Sequence, residues 1–129
     1  MVMIEELADG IIQITSEKVW DADAWEGARA FVVERSSEQQ PLYVLYNLSG
    51  ALHMDQSAFS NFLAAPQHAQ PGLAILVARK THLRLARQLI KELPNPDAVR
   101  LRLMPQIDIA LNILLDRQVM DRINTSKDP

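Results

Sequence analysis

Two uninterrupted apolar runs in the middle of the chain constrain its fold more than any other feature. Residues 42–46 read LYVLY and residues 73–78 read LAILVA. Both runs have the length of a strand, and neither alternates between apolar and polar residues. Strands that are covered on both faces have this composition. The runs therefore predict two central strands of a sheet with other elements packed on each side.

The segments around these runs predict the remaining elements. Residues 2–7 (VMIEEL) and 11–15 (IIQIT) flank an Ala-Asp-Gly turn signal and predict an opening hairpin. Residues 99–103 (VRLRL) alternate strictly and predict a half-exposed strand near an edge. Helical spacing predicts four helices, which begin near Asp21 or Asp23, near Gln56, near Leu83 and at Pro105, with Pro66 and Pro94 ending the middle two.

The predicted element order is ββαβαβαβα. Strands that alternate with helices form a largely parallel sheet, because each helix connects two strands as a right-handed crossover. We expect an α/β fold with a mixed, largely parallel sheet of about five strands and four helices. The length of 129 residues suits one domain, which we place at residues 1–118, followed by a polar tail at 119–129.

Composition excludes several classes of function. No apolar run approaches 18 residues, so we expect no membrane span. The first ten residues carry three acidic groups and no basic one, unlike a secretory signal peptide. A net charge of −3 gives no electrostatic basis for nucleic-acid binding, and the lack of cysteine excludes disulfides and thiolate chemistry. We expect a cytoplasmic protein.

Motifs for catalysis are also scarce. The chain has four glycines and no phosphate-binding glycine loop, and its histidines lack the spacing of metal ligands. Acidic residues at the start of the first predicted helix suit caps better than an acid/base pair. We predict no enzyme, no cofactor and no metal. The histidines are His53, His68 and His82, and the acids are Asp21, Asp23 and Glu26. The two tryptophans, Trp20 and Trp25, are predicted to pack in the core.

Residues 42–63, LYVLYNLSGALHMDQSAFSNFL, resemble the signature of the STAS domain, which sulphate transporters and anti-sigma factor antagonists share. The matching motifs are Asn-Leu-Ser-Gly at 47–50 and Met-Asp-x-Ser at 54–57. The resemblance extends over roughly residues 10–115 and includes the segments GLAILVA and VRLRLMPQIDIALNILL. It implies the SpoIIAA-like fold, whose element order is the one predicted above.

The resemblance also implies a function. In antagonist members, a partner anti-sigma kinase phosphorylates the serine that corresponds to Ser57. The chain is then a non-enzymatic bacterial signalling module that regulates transcription through an anti-sigma factor or serine kinase-type switch protein. The resemblance does not decide between a monomer and a homodimer. Ala58 and Ser60 stand where the family has glycines. The expected partner-binding residues are Ser49, His53, Asp55, Gln56, Ser57 and Ala58.

Structural interpretations compete with this one. Serine is common at the start of a helix, which explains Ser57 without a modification, and Asp55 suits a helix cap. Ser49 suits a turn, and His53 suits packing within a loop. A second hypothesis is a STAS-like domain that binds a small apolar or lipid-like ligand between sheet and helices, without a phosphorylation switch. A third is an uncharacterised enzyme. A pocket at the opening hairpin and first helix favours the ligand, and a solid core with an exposed Ser57 favours protein docking.

Overall fold

The computed structural model describes residues 2–35, 41–64, 72–96 and 99–126. The predicted helix stop at Pro66 and the histidine His68 lie outside these residues. The elements are β1 (Val2–Ala8), β2 (Ile11–Ser16), β3 (Val19–Trp20), α1 (Ala22–Arg35), β4 (Tyr43–Leu48), β5 (His53–Met54), α2 (Gln56–Ala64), β6 (Leu73–Ala78), α3 (Lys80–Lys91), β7 (Leu101–Met104) and α4 (Ile107–Ser126).

The main sheet of the described residues has five strands in the order β1-β2-β4-β6-β7. β1 pairs with β2 in antiparallel orientation, and the other neighbours are parallel. The two apolar runs form β4 and β6 near the middle of the sheet, and the alternating segment forms the edge strand β7. The predicted mixed, largely parallel α/β sheet is therefore confirmed.

A short second sheet was not predicted from the sequence. β3 and β5 pair in parallel, with Val19 opposite His53 and Trp20 opposite Met54. Each strand has two residues, which is too few to show a period along the chain. The pair connects the segment after the opening hairpin to the segment before α2.

The described helices are divided unequally between the faces of the main sheet. Val44, Tyr46 and Leu48 of β4 pack on the side of α1, α2 and α3, whereas Tyr43 and Leu45 pack on the side of α4. This alternation follows from the pleat, which turns successive side chains to opposite faces. β4 is apolar throughout its buried length because both of its faces are covered.

The face under α1, α2 and α3 is built around aromatic side chains. Trp25 of α1 lies at the centre of this group, with its ring centroid 4.5 Å from that of Trp20 and 4.7 Å from that of Phe62. Phe59 and Tyr46 also contact Trp25, at 5.1 and 6.0 Å. Both tryptophans are buried, as predicted. Asp21 caps α1, because its Oδ1 accepts a hydrogen bond from the Ala24 N–H.

Apart from Tyr43, the core under α4 is aliphatic, and polar contacts secure the far end of the helix. The Tyr43 hydroxyl donates to Oδ2 of Asp121 at 2.7 Å. Burial and this hydrogen bond raise the pKa of Tyr43 to about 12. The Gln118 side-chain amide donates to the Asp9 carbonyl oxygen in the β1–β2 turn. Gly10 makes room for that amide, because a Cβ there would lie 2.9 Å from its nitrogen.

These contacts correct the predicted C-terminal tail. Residues 119–126 continue α4 as helix up to Ser126, so the boundary at residue 118 is wrong for them. This part of α4 is held by side chains, because Asp121 reaches Tyr43 and Arg122 lies 3.6 Å from the Asp9 carboxylate. Pro105 precedes the first helical residue, Ile107, by two positions instead of lying in the first turn.

Candidate functional site

The Asn-Leu-Ser-Gly segment forms a tight turn at the end of β4. Oδ1 of Asn47 accepts hydrogen bonds from the Ser49 backbone N–H at 3.0 Å and from the Ser49 hydroxyl at 2.6 Å. The Ala51 N–H donates to the Leu48 carbonyl oxygen and closes the turn. Ser49 is thus a turn residue whose hydroxyl is engaged by Asn47, as the structural interpretation of the sequence predicted.

The β3–β5 pair fixes the position of the residues between this turn and α2. The N–H groups of Leu52 and His53 donate to the carbonyl oxygen of Lys18 at 2.8 and 3.2 Å. The Asp55 N–H donates to the carbonyl oxygen of Trp20 at 2.9 Å. Because Trp20 is fully buried, this bond holds the start of α2 against the aromatic core.

Ser57 lies exposed in the first turn of α2. Oδ1 of Asp55 accepts the Ala58 N–H at 2.9 Å, which makes Asp55 the N-cap and Ser57 the second helical residue. Met54 and Phe59 on either side are buried, so the Ser57 side chain stands on a surface whose backbone is anchored from below. The positive end of the helix dipole favours an anion at this position.

The predicted site residues divide by exposure. Gln56, Ser57 and His53 are exposed, and Asp55 is half-buried. Ala58 is buried and packs in the core with the aromatic side chains, so it offers no side chain to a partner, contrary to the prediction. Its methyl group faces inward because the third residue of α2 lies on the face that covers the sheet. The loop packing predicted for His53 is also wrong, since pairing with Val19 turns its side chain outward.

Arg79 and His82, which were not predicted as part of this site, complete the surface. Nε of Arg79, at the end of β6, donates to the Ser49 carbonyl oxygen at 3.3 Å. Burial, followed by the electrostatic effects of Arg79 and His53, lowers the pKa of His82 below its ordinary 6.5. A signal for them exists in the sequence: both follow the second apolar run, and the carboxyl ends of neighbouring parallel strands meet at one edge of a sheet.

The charges at this edge give it a mixed character. Arg79, His53 and His82 supply cationic or ionisable groups near the Ser49 turn, and Asp55 supplies one carboxylate beside Ser57. Within the described part of the chain, no group of three or more His, Asp or Glu side chains is arranged to hold a metal ion. A Cβ built on Gly50 meets no atom within 4 Å, so open space lies over the turn.

Comparisons with known proteins support the fold. No model of a known protein family matches the chain, and no curated protein matches it. Its structure is similar to that of an anti-sigma factor antagonist from Mycobacterium paratuberculosis, with a TM-score of 0.55 and 19% identity over 88% of this chain and 92% of the other. It is also similar to an uncharacterised DUF3478-family protein with a SpoIIAA-like fold from Shewanella loihica PV-4, with a TM-score of 0.57 and 10% identity over the same shares. The chain therefore has a STAS-like, SpoIIAA-like fold.

The structure also bears on membrane insertion. In the helices that the described residues form, no segment has both the length and the apolar content needed to cross a bilayer.

Proposed function

We propose that this STAS-like domain is a non-enzymatic, cytoplasmic regulatory module of a bacterial signalling pathway that controls transcription. Its partner is an anti-sigma factor or serine kinase-type switch protein, and the switch is phosphorylation of Ser57. The observation that carries the proposal is the exposed Ser57 hydroxyl in the first turn of α2, capped by Asp55 and anchored by buried neighbours. Similarity to an anti-sigma factor antagonist supports the class of partner.

The position suits a switch that leaves the fold unchanged. In the proposed reaction, Oγ of Ser57 takes the terminal phosphoryl group of ATP, ADP leaves, and the hydroxyl proton passes to a base of the kinase. The phosphate adds a charge of about −1.5 to −2 at a helix N-terminus, which accommodates anions. On a docking surface, the same charge adds to that of Asp55 and repels an acidic partner face. Binding then changes while the core under α2 stays intact.

Ala58 replaces one of the family's glycines, and this replacement leaves the approach of a partner to Ser57 open. The Ala58 methyl group packs inward, so it does not obstruct a partner that approaches Ser57 from outside. Open space over Gly50 gives the partner backbone a second point of close approach. We therefore propose a docking surface that comprises the Ser49–Gly50 turn, His53 and the exposed residues at the start of α2.

The test is incubation of the purified protein with the anti-sigma kinases of its host and ATP, followed by mass spectrometry and a binding assay. We expect one phosphate on the wild type and none on Ser57→Ala. Ser57→Asp should keep its thermal unfolding midpoint but bind the partner at least tenfold more weakly. Asn61→Asp, which adds the same charge at another exposed position of α2, is the matched control and should bind normally. Lack of both phosphate and complex with the wild type would contradict the proposal.

A second candidate function is the binding of a small apolar or lipid-like ligand that carries a hydrogen-bond acceptor. It is favoured by the indole nitrogens of Trp20 and Trp25, which are buried and have no acceptor among the residues that the structure describes. Buried donors ordinarily have a partner. Against it, the aromatic side chains fill the region in mutual contact. Dodecanoic acid and 1-dodecanol are suitable probes: saturable quenching of tryptophan fluorescence, lost in Trp25→Phe, supports this candidate, and no response excludes these ligand types.

A further inference from the structure

The outer side of α4 is an apolar surface without a counterpart on the other described helices. Large exposed apolar side chains occur in β1, β3, the β4–β5 loop and α4, and α1, α2 and α3 contribute none. On α4 they are Ile109, Leu115, Val119, Met120 and Ile123. A helix that lies alone on its side of a sheet buries one stripe and leaves the opposite side to solvent, where polar residues are the rule.

Leu115, Val119 and Ile123 form one row on this surface, and a second row beside it follows a regular spacing. Ile109, Ile113, Asp116 and Met120 are separated by four, three and four residues, so they lie along one side of the helix. This is the spacing of a seam between two packed helices. Ile113 is half-buried at the margin of the sheet contact, and Met120 is 53% exposed. Asp116 interrupts the apolar series near its middle, and Arg117 follows it.

The charges of α4 are distributed so that the helix is complementary to itself in antiparallel orientation. Its first half carries Asp108 and Asp116, and its second half carries Arg117 and Arg122 together with Asp121, which bonds to Tyr43. Within the copy, Nε of Arg117 bonds to Asp121 at 3.1 Å and Arg122 lies 3.6 Å from the Asp9 carboxylate, so a pair between copies uses the terminal Nη groups of Arg117. A parallel pair would place Asp116 beside its own copy. An antiparallel pair with its two-fold axis between residues 116 and 117 places Asp116 opposite Arg117 of the second copy, twice. Antiparallel helix dipoles also attract each other.

We propose that α4 is a homodimer interface, formed by an antiparallel pair of α4 helices from two copies of this chain. Ile113 of each copy contacts Met120 of the other, and Asp116 pairs with Arg117 across the axis. The surface is distinct from the Ser57 docking surface, so the dimer stands or falls independently of the proposed switch.

The edge strand β1 is the competing surface for self-association. It exposes Met3, Ile4 and Leu7, but it also carries Glu5 and Glu6. Pairing of two β1 strands would gather four carboxylates in one ladder, which is unfavourable. Charge therefore favours α4 over β1 for a second copy of the same chain.

The expected dimer is weak. One helix pair buries less than the roughly 800 Å² per partner of a standard interface, so we expect a dissociation constant of about 10 to 100 μM. Sedimentation velocity of the whole chain between about 5 and 500 μM should show a monomer that converts to a dimer. Monomer throughout that range would overturn the proposal.

Two methionines of equal exposure provide the matched variants. Met120 on α4 and Met3 on β1 are each 53% exposed. We expect Met120→Lys to raise the dissociation constant at least tenfold and Met3→Lys to leave it unchanged. Equal effects of the two changes, or a larger effect of Met3→Lys, would overturn the proposal. Circular dichroism and thermal unfolding establish that each variant is folded.

A charge-exchange pair tests the arrangement without removing apolar surface. Asp116→Arg and Arg117→Glu should each weaken the homodimer, because like charges then meet across the axis. An equimolar mixture of the two variants should form a heterodimer, since each altered charge meets an opposite one. Failure of the mixture to associate above the level of either variant alone would overturn the antiparallel register.

Discussion

The two faces of the sheet are stabilised in different ways. Under α1, α2 and α3 the core contains a contiguous aromatic group centred on Trp25, and these helices leave no large apolar side chain exposed among the described residues. Under α4 the core is aliphatic apart from Tyr43, and Tyr43 and Gln118 secure the second half of the helix through polar contacts. We call the face under α1, α2 and α3 the closed face. The face under α4 is called the open face, because the outer side of α4 exposes large apolar side chains.

The difference separates the proposed roles of the two faces. The Ser57 surface lies at the edge of the closed face, where a rigid aromatic core holds the start of α2 in place. A modification there changes surface charge without reaching the interior. The α4 surface lies on the open face, where apolar residues remain available to a second copy. Modification and self-association can therefore act without interfering with each other.

The largest expected effect comes from removing a fully buried side chain on each face. Phe59→Ala should lower the free energy of unfolding by about 4 kcal/mol and Leu114→Ala by about 3 kcal/mol, because both leave cavities and Phe59 also loses ring contacts. Urea unfolding measures both. An equal or larger loss for Leu114→Ala would show that the aromatic contacts add nothing to the closed face.

An intermediate effect is expected at the turn that receives Gln118. Gly10 has φ of +81°, and an added Cβ would meet the Gln118 amide at 2.9 Å. Gly10→Ala should cost about 1 to 2 kcal/mol by urea unfolding. Gly50→Ala is the matched control and should stay within about 0.5 kcal/mol, since its Cβ meets nothing. If the two variants are equally stable, the turn does not hold α4 as described.

The smallest effect concerns pH and the edge of the closed face. The pKa of His82 is lowered, so below pH 6.5 the unfolded chain binds more protons than the folded one and stability falls with acidification. At pH values well above 6.5 this residue is neutral in both states and its contribution is constant. His82→Gln should therefore show a flatter stability curve between pH 5 and 7 in thermal unfolding. A curve parallel to that of the wild type would mean that His82 is not responsible.

Much of the fold was accessible from periodicity. The continuous runs at 42–46 and 73–78 predicted two central strands, because only strands covered on both faces remain apolar at every position. The alternating segment at 99–103 predicted the edge. The short β3–β5 pair was not predicted, since a strand of two residues shows no period along the chain. The second half of α4 was not predicted, because it is held by the hydrogen bond between Asp121 and Tyr43. These two residues are 78 positions apart in the sequence.

The candidate site was accessible only in part. The resemblance indicated Ser57 and Asp55, and helix capping at Asp55 followed from residue type and position. The inward direction of Ala58, the outward direction of His53 and the proximity of Arg79 to the Ser49 turn did not follow. Each depends on which strand or helix packs alongside, and that information is not contained in the local sequence.

The sequence by itself determined the order of the four helices and the five strands of the main sheet, the central strands and the capped start of α2. These features depend on periods and side-chain types within a few residues. Only the tertiary structure decided which face each helix covers, how far α4 extends and which residues gather around Ser49. Those features depend on contacts between distant segments, such as Gln118 with Asp9 and Arg79 with Ser49. Such contacts form only when the sheet brings its strand ends together.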